Sequence, residues 1–286
     1  MAEKILVLGA SGMLGNAVFR YFATQTGHET VGIVRSDRSA RLLPEALHER
    51  IAVAGEVEDP DQLVQMFSRH RPTLVVNCVG LVKQLASAED PTAAIPINSL
   101  LPHRLANLCE LIGARLVHLS TDCVFSGAKG MYVEDDLPDA KDVYGRTKLL
   151  GELKYPHTVT LRTSIIGHEL AGARSLVGWF LAQQGTVRGF SRAIFSGLPT
   201  VEIARVIDQY VLPRPDLSGL YHLSAEPIDK LSLLKLVAKI YGKEIQVDDD
   251  PSFIIDRSLD STRFRAETGY RPADWPSLVQ QMHQFR

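Results

Sequence analysis

The chain has 286 residues, 45% of them apolar, and its 31 Lys and Arg nearly balance 33 Asp and Glu, leaving a net charge of -2. That length suits one large or two modest domains, and the charge balance argues against nucleic acid or an acidic membrane surface as a partner. No apolar run reaches the roughly 18 residues that cross a bilayer, and the N-terminus enters a strand pattern at once instead of a signal peptide, so a cytoplasmic location is expected.

The first run, Lys4-Ile5-Leu6-Val7-Leu8, is continuously apolar, the pattern of a strand buried on both faces. It leads into Gly9-Ala10-Ser11-Gly12-Met13-Leu14-Gly15, after which Val18, Phe19 and Phe22 keep the stripe of a helix over 13–25. Strand, glycine turn and helix start appear in the order a dinucleotide site requires, although the spacing is G-x-x-G-x-x-G. The glycines permit a tight turn and close backbone approach, and the helix start offers free N–H groups to a pyrophosphate. The second strand, 30–34, ends in Arg35, where an NAD enzyme would carry a carboxylate. A guanidinium there suits the 2′-phosphate of NADP(H), which is the preferred cofactor. Asp37, two positions on, could serve a ribose and keeps NAD(H) open.

Further strands read at 51–54, 73–79, 115–120 and 158–162, with helices near 60–70, 99–112 and 143–154 between them. The alternation predicts an α/β fold with a Rossmann-like, doubly wound parallel sheet. Right-handed crossovers would bring Gly9, Arg35, Asn77 to Gly80, Thr121 and Thr163 to Gly167 to one edge, where ligands bind. Cys78, Val79 and Gly80 are thereby expected on the cofactor. On the helix over 143–154, Tyr144 and Lys148 are four apart and share a face. An ammonium beside the phenol would lower its pKa from about 10 toward working pH, preparing a proton donor for a carbonyl. The Thr121 hydroxyl, at a strand end, would hydrogen-bond the carbonyl oxygen as charge develops.

From about 165 the regular alternation is lost. The expected division is an NAD(P)-binding domain over 1–164 and a smaller, mainly substrate-binding part over 165–286, with segments near 194–226 returning to the first domain. Helices are expected near 175–184, 200–212 and 230–242. Arg174, Trp179, Arg188 and Arg192 could reach a diphosphate or stack on a base, with Trp179 and Phe180 more in keeping with a core. Asp248-Asp249-Asp250-Pro251 reads as a solvated turn rather than a cation site. Cys78, Cys109 and Cys123 lack C-x-x-C spacing and the nine His do not cluster, so no disulfide framework and no metal site are expected.

Four segments together carry a resemblance: Gly9-x-x-Gly12-x-x-Gly15, Asn77-Cys78-Val79-Gly80, Ser120-Thr121-Asp122-x-Val124-Phe125-x-Gly127 and Tyr144-Gly145-Arg146-Thr147-Lys148-Leu149-x-Gly151-Glu152. They resemble the extended short-chain dehydrogenase/reductases, and among these the dTDP-4-dehydrorhamnose reductases. The likeness is strong over about 1–165 and weaker through Gly197-Leu198-Pro199-Thr200, Gly219-Leu220-Tyr221-His222-Leu223 and Asp256-Arg257-Ser258-Leu259-Asp260-Ser261. It implies NAD(P)H-dependent reduction of a 4-keto group on a nucleotide-linked deoxysugar, in polysaccharide biosynthesis. Thr121, Tyr144 and Lys148 would be the triad. Ser11, Gly12, Met13, Leu14 and Arg35 would hold the cofactor, and a homodimer is allowed.

The chain also departs from that pattern. The loop Leu81-Val82-Lys83-Gln84-Leu85-Ala86 replaces the usual segment beside the sugar, so Lys83 and Gln84 are candidate readers of a different hexose or nucleotide. Cys123 stands where an aromatic is usual. GDP-fucose synthases carry a Cys at that spacing and a His after the sixth strand, here His168, and by that likeness the pair could exchange protons beside the ketone and epimerise before reduction. A third reading is a non-catalytic NADP-binding regulatory subunit, like the beta subunit of methionine adenosyltransferase.

Overall fold

In a computed structural model of the chain, which describes residues 2–81 and 86–286, the apolar run Lys4–Leu8 forms β1, an interior strand of a seven-stranded parallel sheet. The other early strands are β2 (Glu29–Val34), β3 (Ile51–Val53), β4 (Leu74–Asn77), β5 (Arg115–Thr121) and β6 (Thr158–Thr163). Across the sheet the order is Gly219–His222, β6, β5, β4, β1, β2, β3. The chain therefore winds outward one way from β1 and the other way from β4. Between those two strands the direction reverses, and a crevice opens beyond their carboxyl ends.

Side-chain alternation along β1 serves both faces. Ile5 and Val7 join Phe19, Phe22, Ile203 and Ile207 on one side, while Leu6 and Leu8 join Leu63, Phe67, Leu101 and Leu105 on the other. Burying each such side chain contributes roughly 1.5–3 kcal/mol, which is why this strand reads as an unbroken apolar run. Helix α1 (Met13–Gln25) and the helix Thr200–Val206 cover the first face; helices Pro60–His70 and Leu101–Ile112 cover the second.

The second half of the chain returns to the sheet. Its strand Gly219–His222 runs parallel to β6 with Tyr221 opposite Leu161 and His222 opposite Arg162. The remainder builds a three-stranded sheet ordered Ile228–Asp229, Ala193–Phe195, Ile255–Asp256, and a two-stranded one from Thr186–Phe190 and Gln246–Asp250. The acidic run Asp248–Asp250 is thus a strand and not the expected turn. Its backbone is taken by a parallel ladder with Arg188, Gly189 and Phe190, and only Asp248 and Asp249 face solvent.

Two expected helices are broken by π turns, Ile95–Leu100 ahead of Leu101–Ile112 and Ile207–Val211 after Thr200–Val206. The helix expected over 143–154 stops at Leu150 because Gly151 is pressed on the Asn98 carbonyl, which an added Cβ would meet at 2.0 Å. Among the described residues no helix is long and apolar enough to cross a membrane, and no three His, Cys, Asp or Glu could together hold a metal ion.

Candidate active site

The glycine turn sits at the mouth of the crevice. Gly9 has φ +76° and leaves β1 so that Gly12 N bonds the Gly9 carbonyl at 2.9 Å. A Cβ on Gly15 would lie 2.0 Å from that same oxygen, so only glycine lets α1 start this close to the turn. Gly12 is the N-cap of α1 and has no side chain to bond the first N–H groups, which leaves them for a ligand. Leu8 is flanked by Ile33 and Asn77 in the ladder, which sets β2 and β4 to either side of this turn.

Asn77 is fully buried at the end of β4; its Oδ1 accepts from Val79 N at 3.1 Å, and its Nδ2 lies 3.1 Å from His118 Nδ1. The backbone therefore turns at Cys78 to Gly80, along the crevice floor. Lys148 reaches the same place from the helix Val143–Leu150. Its Nζ donates to the Leu119 carbonyl at 2.7 Å, and a Cβ on Gly80 would lie 3.8 Å from it. Burial lowers its pKa to about 8, against the pull of Glu152 and Cys78, which raise it. Burial pushes the Cys78 thiol up to about 12, so it is no nucleophile.

Thr121 ends β5 and is buried; its Oγ1 accepts from Cys123 N at 3.1 Å and donates to Asp122 Oδ1 at 3.2 Å. Tyr144 lies in the first turn of the helix Val143–Leu150, which is N-capped by Asp142 through Gly145 N at 2.7 Å. Gly145 lets that helix touch the turn, since an added Cβ would lie 2.4 Å from the Cys123 carbonyl. The three residues of the expected triad thus meet at one sheet edge, but the electrostatics differ from the expectation. The Tyr144 phenol is raised well above its ordinary value, first by burial and then by Cys123, with Thr121 opposing the shift. The shared helix face brings the two side chains near, but the ammonium is committed to Leu119 on the Gly80 side. The phenol consequently keeps its proton near neutrality.

Of the other expected site residues, Arg35 is exposed beyond β2, with Nε 3.9 Å from Glu56 Oε1. Arg174 and Arg192 are exposed, Trp179 is 38% exposed while Phe180 is core, and Arg188 pairs with Asp250 at 3.4 Å. Lys83 and Gln84 lie outside the described residues. His168 Nε2 is 2.8 Å from the Tyr241 hydroxyl, its carbonyl accepts from Asn16 of α1 at 3.3 Å, and burial, then Arg286, His283 and Arg20, lower its pKa.

Several contributors were not anticipated. Asn98, buried in the π turn, accepts from Leu81 N at 2.9 Å and reaches Thr147 at 3.3 Å, tying the crevice floor to the helix of Tyr144. Glu152 is held by Arg162 through two bonds of 2.6 Å and by Ser120 at 2.7 Å. Lys230 and Arg257 are electrostatically coupled to Asp122. A π turn leaves no periodic signature, and Lys230 and Arg257 arrive by tertiary pairing from far along the chain. Glu152 alone had a local signal, four positions after Lys148.

The sequence from 3 to 247 matches the family described as RmlD substrate binding domain. A probable low-salt glycan biosynthesis reductase of Haloferax volcanii is 32% identical over 178 residues, covering 60% of this chain and 57% of that protein. The methionine adenosyltransferase 2 subunit beta of Mus musculus is 31% identical over 151 residues, covering 53% and 42%. The chain thus spans about half the length of these curated relatives. A dTDP-4-dehydrorhamnose reductase of Bacillus anthracis solved with NADP superposes with a TM-score of 0.80 over 99% of both chains at 20% identity, a likeness of fold.

Proposed function

Because the chain belongs to the RmlD substrate binding domain family, we propose that it is an NADPH-dependent oxidoreductase that reduces a 4-keto group on a nucleotide-linked deoxysugar in the cytoplasm. The observation that carries this reading is the start of Tyr144's helix packed on the turn that follows Thr121 at the end of β5, with the Lys148 ammonium beside Gly80 on the edge that also bears the glycine turn. The turn over Gly9 to Gly15, including Ser11, Met13 and Leu14, and the uncapped start of α1 fit a pyrophosphate, and Arg35, exposed beside Glu56, suits a 2′-phosphate. When bound, the dihydronicotinamide ring supplies a hydride to the ketone carbon.

The residues of the chain handle the oxygen. Tyr144 holds its proton until negative charge grows on the ketone, and then gives it up to the nascent alkoxide. Thr121 donates a hydrogen bond to the same oxygen and keeps the carbonyl aimed at the phenol. Lys148 stabilises the phenolate left behind and binds the ribose next to the ring. A phenol that keeps its proton near neutrality is the form a proton donor in this direction needs.

The test is oxidation of NADPH, followed by absorbance, with a panel of dTDP-, UDP- and GDP-linked 4-keto-6-deoxysugars. One or more should be reduced, and Tyr144→Phe should lower turnover by a factor on the order of 10² or more with NADPH affinity unchanged. Full turnover by that variant would remove Tyr144 as the donor. Likeness to the methionine adenosyltransferase beta subunit favours a second reading, dinucleotide binding in a regulatory role; tight NADPH binding with no turnover across the panel would support it.

A further inference from the structure

One cation on the wall of this crevice is electrostatically incomplete. Lys230 begins the helix Lys230–Tyr241, whose N-cap Asp229 bonds Ser232 N at 2.8 Å. Asp229 also ends the strand that pairs with Ala193–Phe195, Asp229 opposite Ile194, and Asp256 of the third strand lies opposite Ile194 from the other side. Ile255 and Arg257, which flank Asp256, press on Gly127; an added Cβ there would lie 2.5 Å from Ile255 Cγ1 and 3.0 Å from Arg257 Cγ. Arg257 Nε also donates to the Phe125 carbonyl at 2.8 Å. This face of the small sheet is therefore laid on the turn that follows Thr121. Lys230 follows Asp229 as the first residue of that helix, and its ammonium is attracted by Asp122 and Cys123 and repelled by Arg257.

Yet among the described residues the Lys230 side chain forms no ion pair and no hydrogen bond, although it is half-buried. Withdrawing an ammonium from water without a partner is costly, so a ligand oxygen is the natural complement. Asp122, whose charge raises the Lys230 pKa, is 9% exposed and its Oδ1 accepts from Thr121 at 3.2 Å. A phosphate would be repelled by that carboxylate. A sugar hydroxyl, which both donates and accepts, suits the pair.

We propose that Lys230 and Asp122 read the hexose: Lys230 Nζ donates to, and the Asp122 carboxylate accepts from, oxygens on carbons next to the ketone. The inference rests on the ketoreductase reading and names two substrate contacts for it. Donor beside acceptor selects a sugar that keeps the hydroxyl on C3, the one carbon next to the 4-ketone that bears a hydroxyl.

Calorimetric binding to the NADP-loaded protein tests it, with dTDP-, UDP- and GDP-linked 6-deoxyhexoses and with dTDP, UDP and GDP alone. The sugar should tighten binding of its nucleotide by about tenfold or more. Lys230→Met should erase most of that gain while leaving affinity for the bare nucleotide unchanged, and Lys230→Arg, which keeps a donor, should restore part of it. A gain that survives Lys230→Met, or an equal loss for bare nucleotide and whole ligand, would overturn the proposal, the latter marking a phosphate contact. A Lys230-dependent gain in a protein that oxidises no NADPH would leave this assignment standing and sink the ketoreductase reading alone.

Discussion

Tyr144 and Lys148 show how a spacing can report a location without reporting its electrostatics. Their separation on one helix and the strand end at Thr121 were legible, because helix and strand periodicities fix which side chains share a face. The direction of the phenol's shift was not legible, since it depends on burial and on which acceptor captures the ammonium, here the Leu119 carbonyl. The lowered pKa of Lys148 has a direct consequence. Its charge is complete below about 8 and is lost as pH rises through that value, so kcat/KM should fall on the alkaline side near there. Glu152 raises the Lys148 pKa, and Glu152→Gln should therefore move that limb to lower pH. A pair of pH–rate profiles measures this, and superimposable alkaline limbs would show the carboxylate has no part in it. His168 is a further case, a residue whose position after a strand suggested a role and whose hydroxyl partner, Tyr241, comes from far along the chain.

At the level of elements, buried strands announced themselves as apolar runs, and α1 and the helix Pro60–His70 fall where their stripes put them. The π turns and the strand Gln246–Asp250 did not, because a one-residue widening of the turn is invisible to a 3.6 period and an acidic strand is made only by its ladder partner. The fit of α1 on the turn before it is close enough to exclude any side chain at Gly15. Gly15→Ala would drive a methyl into the Gly9 carbonyl, and such overpacking costs about 1–3 kcal/mol. The expected result is a lower Tm together with at least a tenfold loss of NADPH affinity, read by thermal unfolding and calorimetry on one preparation. A variant that is merely less stable but binds NADPH normally would separate the helix start from the pyrophosphate.

On the scale of the molecule, the division at residue 164 was expected with segments near 194–226 returning to the first part, and the strand that joins the large sheet falls in that range. Gly219–His222 completes the sheet beside β6, and Ile203, Val206 and Ile207 close the apolar cluster of Phe19 and Phe22. A fragment of residues 1–164 should therefore aggregate and show no cooperative transition, as followed by gel filtration and circular dichroism; a monomeric fragment with a sharp melt would make the first part an autonomous domain. That shared sheet also bears on how the protein is made. During translation β6 emerges with its outer backbone groups unsatisfied, and stays a bare edge until the strand 219–222 clears the ribosome. The nascent chain thus passes through a sticky interval that its finished form conceals, and slow synthesis through residues 164–218 would prolong it.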